Sequence, residues 1–250
     1  MPESTSRYGN FCYLCGVLRY AGGGAGESQI IIVSSKYTMH INHISAFDGC
    51  YVMQHEDIER FANTLADGFR GYNLFEYVCN GDYNHDKMRL FWAVSIALVA
   101  DNAICIADSK SVNSVLIYVK PKSKESGPLE YFKAGGLKMV FKMGLRGLVR
   151  LTRVDTEVKQ VAQRCKSEND GYLLAFATRI DKQGQHYGKP LMEALMRYLD
   201  DRGEGCYLET MKVTNVELYK RFSFQLIEQT SIKSGGLNLF AMRRPPKAIK

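Results

Sequence analysis

The chain has 250 residues, of which 46% are hydrophobic, 24% charged and 11% aromatic, with 22 glycines and 6 prolines. That composition excludes disordered, collagen-like and disulfide-knot classes, and at this length folding buries roughly 70–75% of the chain's surface without covalent staples. The formal net charge is +7, which points to nucleic acid or an acidic surface only where the charge is concentrated.

Residues 1–50 read as an N-terminal extension, flexible or non-essential, ahead of one domain over 51–244 and a tail over 245–250. The Ala-Gly-Gly-Gly-Ala-Gly run at 21–26 is loop punctuation. Residues 29–33 read as a strand, and Met39 and Met53 are alternative starts. Glu3 and a lone Arg7 precede the short apolar patch 11–18, and no clean cleavage pattern follows, so no signal peptide is expected. Cys12-x-x-Cys15 and His40-x-x-His43 stand 24 residues apart with two residues between the histidines, whereas a zinc finger needs about a dozen between the pairs. No metal is expected. The seven cysteines are odd in number and scattered through apolar segments, which suits buried thiols and a cytoplasmic protein.

From residue 57 the apolar positions Ile58, Phe61, Ala62, Leu65, Ala66 and Phe69 recur at three and four, predicting an amphipathic helix that ends near 68–71. A second helix is expected over 86–100. It contains the longest apolar run, ten residues with Ser95 inside, far short of the ~18 that a membrane span requires. Residues 103–108 and 112–120 read as an antiparallel hairpin turned at Ser109-Lys110-Ser111. A helical stretch over 129–165 follows, broken near Gly135-Gly136 and near Asp155.

Most of the excess charge sits in this stretch, because 136–153 holds five cations and no acid. Lys138, Lys142, Arg146 and Arg150 fall at steps of four, which predicts a basic stripe on one helix with Val140, Phe141, Leu145, Leu148 and Val149 turned the other way. A solvated face is the plain reading, and a surface for phosphate, acidic substrate or lipid is the other.

The second half reads strand (172–179), helix (189–202, closed by Gly203 and Gly205), strand (206–210), short helix (215–222) and two strands (224–230 and 237–243). Arg243 and Arg244 open a frayed tail. The fold class is therefore α/β (α+β), with a mixed sheet covered by helices. Between the first of these strands and its helix lies Arg179-Ile180-Asp181-Lys182-Gln183-Gly184-Gln185-His186-Tyr187-Gly188. A polar, glycine-containing turn there aims successive N–H groups at one spot beside the positive end of the helix dipole, as a phosphate cradle requires.

The continuation is Leu208-Glu209-Thr210, then Asn215, Tyr219 and Phe222-Ser223-Phe224. Together with the loop it resembles the GNAT superfamily of acyl-CoA-dependent N-acyltransferases, with its Q-x-x-G-x-G/A loop, L-E-T strand and N-x-x-x-Y-x-x-x-G-F segment. In layout it is similar to the branch containing puromycin N-acetyltransferase. Two registers of the loop compete, since Gln185-x-x-Gly188 also opens the motif. Leu208 is the twentieth residue after Gly188 but the eighteenth after Pro190, and the branch's spacing favours Gln183 first, His186 fourth and Gly188 sixth. His186 and Ser223 then stand where the family has glycine.

The resemblance implies a mostly antiparallel sheet splayed between its fourth and fifth strands. It further implies acetyl-CoA as co-substrate, held by Gln183, Gly184, Gln185, His186, Tyr187, Gly188 and Lys189, with Asn215 on the cofactor arm and Lys182 near the phosphates. A main-chain N–H near Ala177 or Thr178 would meet the thioester carbonyl. Tyr219 matches the tyrosine that protonates the departing thiolate, and the transfer needs no covalent enzyme intermediate. Glu209 is the expected base, with Asp181 or a water chain as the alternatives. Cys206 is not expected to be a nucleophile. Tyr72, Phe75, Glu76 and Tyr77 would line an acceptor pocket, for an amine left open among antibiotic, polyamine, amino acid and peptide amino terminus. The rival readings are a CoA-binding protein without activity and, less favoured, a nucleic-acid or acidic-surface module. A monomer or homodimer is expected.

Overall fold

The computed structural model describes residues 45–124 and 126–247. The candidate strand at 29–33, the Gly-rich run and the Cys12/Cys15/His40/His43 set lie outside the described residues. A 3-10 turn at Ser45–Phe47 leads to strand β1 (Tyr51–Val52) and helices α1 (Ile58–Gly68), α2 (Asn73–Val78) and α3 (His85–Val99). The hairpin β2 (Ala103–Ala107) and β3 (Ser114–Val119) is followed by α4 (Pro128–Lys133) and α5 (Gly136–Cys165). Then come β4 (Asp170–Thr178), α6 (Lys189–Arg202), β5 (Gly205–Thr210), α7 (Val213–Lys220), β6 (Gln225–Ile232) and β7 (Leu237–Arg244).

The strands form one sheet in the order β1-β2-β3-β4-β5-β7-β6. Every neighbouring pair is antiparallel except β4 and β5. Side chains alternate across it as a pleated strand requires. Ala103, Cys105, Val115, Ile117, Tyr207 and Ala241 face the core under α1, α3 and α5, while Ile104, Leu116, Tyr118, Leu208 and Met242 face the second core under α6 and α7. Both faces are buried, which is why β2 and β3 read as continuous apolar runs.

Residues 45–50 do not stand apart from the domain. Phe47 is 3% exposed and stacks on Tyr198 of α6 at 5.3 Å, and Arg197 donates to the Ala46 carbonyl at 3.1 Å. The domain therefore begins before residue 51. Nor do Arg243 and Arg244 fray, because both belong to β7. Arg243 chelates the buried Asp170 through Nε (2.6 Å) and Nη2 (3.0 Å), and Arg244 pairs with Asp200.

Helix α5 corrects two expectations. The chain is not broken at Asp155, which is fully buried in mid-helix; the interruption is at Gly144, whose φ of 73° and ψ of 156° are non-helical. A stripe drawn through steps of four assumes an unbroken period, and the break resets it. Of the residues expected to turn inward, Leu148 does (1% exposed), but Phe141, Leu145 and Val149 are 79%, 77% and 39% exposed. No described helix is long and apolar enough to cross a membrane.

Candidate active site

The parallel ladder between β4 and β5 holds for three residue pairs, Asp170/Gly205, Gly171/Cys206 and Tyr172/Tyr207, and then stops. Both strands run on, β4 to Thr178 and β5 to Thr210. On its other edge β4 stays paired with β3, with a register shift between Ile117 and Tyr118 that leaves Leu174 as an extra residue. A bulge of this kind bends the strand and turns backbone groups out of the ladder. The two strands thus form a V whose closed end is fixed by the Asp170–Arg243 pair and by the Ser167 N–H donating to Asp170 Oδ2 at 2.8 Å.

A cavity of about 90 Å³ occupies the V. Residues 173–176 of β4 and Glu209, Thr210 and Met211 line it, with Asn215 and Tyr219 on α7, an aromatic wall of Phe69, Tyr72, Phe75, Trp92 and Tyr172, and Asp155 on α5. Tyr219 is 7% exposed. Burial drives its pKa well above the usual phenol range, so it keeps its proton. Burial also pushes the Glu209 carboxyl up to about 7, against hydrogen bonds from Tyr172 and Tyr207 and the nearby Lys166 ammonium, which pull it down. Glu209 Oε2 has no hydrogen-bond partner among the described residues. Asp155 brings a second carboxylate to the cavity, with Lys159 Nζ at 3.4 Å from its Oδ2.

Side chains from distant segments fix the end of β5. Tyr72 Oη accepts from the Met211 N–H at 2.7 Å and lies 3.4 Å from Thr210 Oγ1, to which Asn215 Nδ2 donates at 3.0 Å. Tyr72 and Phe75 therefore stand in the cavity wall. Glu76 and Tyr77 do not: Glu76 Oε1 accepts from the Gly71 N–H at 3.2 Å, and the Tyr77 hydroxyl bonds to the Ser234 carbonyl. Ala177 and Thr178 lie beyond the cavity, bordering the next loop, so the β4 backbone that meets the cavity is 173–176. Asp155 carried no signal as a site residue in the sequence.

The loop after β4 opens with a 3-10 turn at Ile180–Lys182 and reaches α6, which has Pro190 in its first turn. Gln183 Nε2 donates to the Thr178 carbonyl (3.1 Å) and Gln185 Nε2 to the Asp181 carbonyl (3.0 Å), so these two side chains brace the loop. Among the described residues no main-chain N–H from 184 to 188 has a protein partner. Gly188 sits where a Cβ would come within 2.6 Å of Phe176 and 3.3 Å of Ser114 Oγ, so its lack of a side chain lets the loop approach β4. His186 adopts φ 64° and its side chain is exposed. Lys182 and Lys189 face Asp181 (3.4 Å) and Glu193 (3.6 Å). Unpartnered N–H groups in the turn that leads into a fourteen-residue helix fit an anion such as a pyrophosphate. Cys206 is fully buried, and desolvation raises its thiol far above the reactive range.

Residues 133–224 match the family model described as the Acetyltransferase (GNAT) family. Over that segment the chain is similar to the GNAT acetyltransferase family. Solved structures share the fold of this chain. One described as histone acetyltransferase HPA2 and related acetyltransferase from Corynebacterium glutamicum is 18% identical, with a TM-score of 0.59 over 80% of this chain and 97% of that one. An apo mutant of an agmatine N-acetyltransferase is 14% identical, with a TM-score of 0.52 over 79% of this chain and 100% of that one. At such identities the likeness is one of fold. No curated protein matches the sequence. Among the described residues no cluster of metal-ligating side chains occurs around the cavity or elsewhere.

Proposed function

We propose that this protein is an acetyl-CoA-dependent N-acetyltransferase that moves an acetyl group directly to the primary amine of a small molecule. The observation that carries the reading is the opening of the β4/β5 ladder onto a cavity that holds Glu209 and Tyr219 and is flanked by a loop of unpartnered N–H groups.

Acetyl-CoA supplies the activated acyl thioester. Main-chain N–H groups of 184–188 would hold its pyrophosphate, and the edge of β4 left unpaired by β5 would hold its pantetheine arm in the manner of an added strand. A main-chain N–H within 173–176, rather than at Ala177 or Thr178, would polarise the thioester carbonyl. One well-placed donor of this kind contributes ~3 kcal/mol.

The acceptor's apolar part packs against Phe69, Tyr72, Phe75 and Trp92, and its ammonium lies toward Glu209 and Asp155, a setting of aromatic faces and carboxylates that favours a cation. Glu209, with its pKa near neutrality, takes a proton from the ammonium nitrogen and frees its lone pair. Tyr219 Oη gives a proton to the departing sulfur. Both groups act on a ternary complex held in one cavity, and such alignment is worth about 7 kcal/mol or more.

A thermal shift with CoA and acetyl-CoA tests the cofactor half, since ligand at 100 times its Kd adds ~2.7 kcal/mol to stability. No shift would remove the reading. A panel of amines scored by thiol release tests the chemistry. There Tyr219→Phe is expected to lower turnover about a hundredfold with the CoA shift preserved. A CoA shift with no acetylated amine would leave a CoA-binding protein without transferase activity, the second reading.

A further inference from the structure

We propose that the outer face of α4 and α5 docks on an anionic lipid bilayer, lying in the plane of the headgroups. Among the described residues six of the ten exposed large hydrophobic side chains fall between 129 and 149, so the apolar exposure is concentrated on α4 and the first half of α5. They are Leu129 (60%), Phe132 (49%), Leu137 (50%), Phe141 (79%), Leu145 (77%) and Val149 (39%). An exposed cluster with two phenylalanines out in water marks an interaction surface.

The same surface is cationic. Lys133, Lys138, Lys142, Arg146 and Arg153 are exposed, and none forms an ion pair among the described residues. Arg150 is engaged by Asn80 (2.7 Å) and the Tyr77 carbonyl (3.1 Å). Glu130 is the one acid between 128 and 154. The partner must therefore offer both negative charge and an apolar layer a few ångströms deep, which is what an anionic bilayer surface presents to an amphipathic helix.

Other occupants fit less well. In a two-fold dimer each patch meets its own copy, and the cations of one protomer would oppose those of the other. Residues 1–44 hold two acids and three lysines or arginines, so they bring no negative charge to neutralise the face. A nucleic acid would answer the charge but leave Leu137, Leu145 and Val149 in water.

The test is sedimentation of the full chain with vesicles of phosphatidylcholine alone or mixed with phosphatidylglycerol. Co-sedimentation with the anionic vesicles only is expected, weakened by salt. Lys138→Glu/Lys142→Glu/Arg146→Glu should lower the vesicle affinity at least about a hundredfold, at about fivefold per cation removed. Phe141→Glu/Leu145→Glu should lower it at least about tenfold while the melting temperature stays that of the parent, both side chains being in solvent already. Three results would overturn the proposal: no sedimentation with either vesicle, binding to polyglutamate without binding to vesicles, or a dimer in ultracentrifugation that Phe141→Glu dissolves.

Discussion

The two sides of the V are built by different means. On the side proposed for the cofactor, the contacts offered are main-chain groups: the N–H groups of 184–188 and the edge of β4. On the side proposed for the acceptor the cavity is walled by side chains from 69–75, α3, α5, β5, α7 and β7, residues as far apart in sequence as Phe69 and Leu239. A backbone cradle is a local event, set by a handful of consecutive residues and the helix after them. A side-chain pocket exists only once the whole sheet and its helices have been assembled.

The largest expected effect comes from the point both sides share. Asp170 is 1% exposed at the closed end of the V and is chelated by Arg243. Asp170→Ala leaves that guanidinium without its partner and frees the Ser167 N–H, which should cost about 3–5 kcal/mol of stability. Chemical denaturation would measure it. If the two sides were independent modules, CoA binding would survive in the variant as an unchanged thermal shift; a joint loss is expected.

A smaller effect separates the sides. Glu209→Gln keeps the shape of the acceptor side and removes its titration. The parent's kcat/KM should rise through a pH of about 7 as the carboxyl ionises, and the variant should be slower and lack that limb. The same group has a stability signature of opposite sense. Its pKa is 4.5 in an ordinary setting and about 7 in the fold, so the folded state binds the extra proton between these values. Stability should therefore fall as pH rises from about 4.5 to 7 and flatten above, and Glu209→Gln should lessen the decline. CoA affinity should stay that of the parent, because the cradle proposed for the cofactor lies in the loop after β4.

This asymmetry also explains what was legible beforehand. The loop at 183–188, the Leu208-Glu209-Thr210 strand and the Asn215/Tyr219 spacing are short and contiguous, and the elements carrying them lie close to the predicted bounds. Hairpin β2–β3 was readable for the same reason. What escaped depends on tertiary placement. The bulge at Leu174 arises from how β4 pairs with β3, and the cavity is lined by 173–176 rather than by Ala177 and Thr178. Asp155 reaches the cavity, and Phe141 and Leu145 reach solvent, on a helix interrupted at Gly144, where a continuous period no longer tells inside from outside. The resemblance puts Glu76 in the pocket, but its carboxylate turns back to the Gly71 N–H.

The smallest expected effect bears on whether the cofactor side tolerates a residue foreign to the motif. A glycine is favoured at the fourth position of the loop because the chain turns there through positive φ, and His186 adopts φ 64° all the same. Ser223, the other departure, does likewise at φ 66°. An L-residue with a side chain is strained in that region by roughly 1–2 kcal/mol, whereas glycine enters it freely but loses more entropy on folding, by roughly 0.5–1 kcal/mol. His186→Gly should therefore gain about 0.5–1 kcal/mol net, or about 1–4 °C in melting temperature for a domain of this size. The N–H groups of 184–188 keep their direction whichever side chain stands at 186, so the CoA-induced shift should persist. A lower melting temperature in the variant would mean that the imidazole itself holds the loop, and the cradle would then rest on a side chain as the acceptor pocket does.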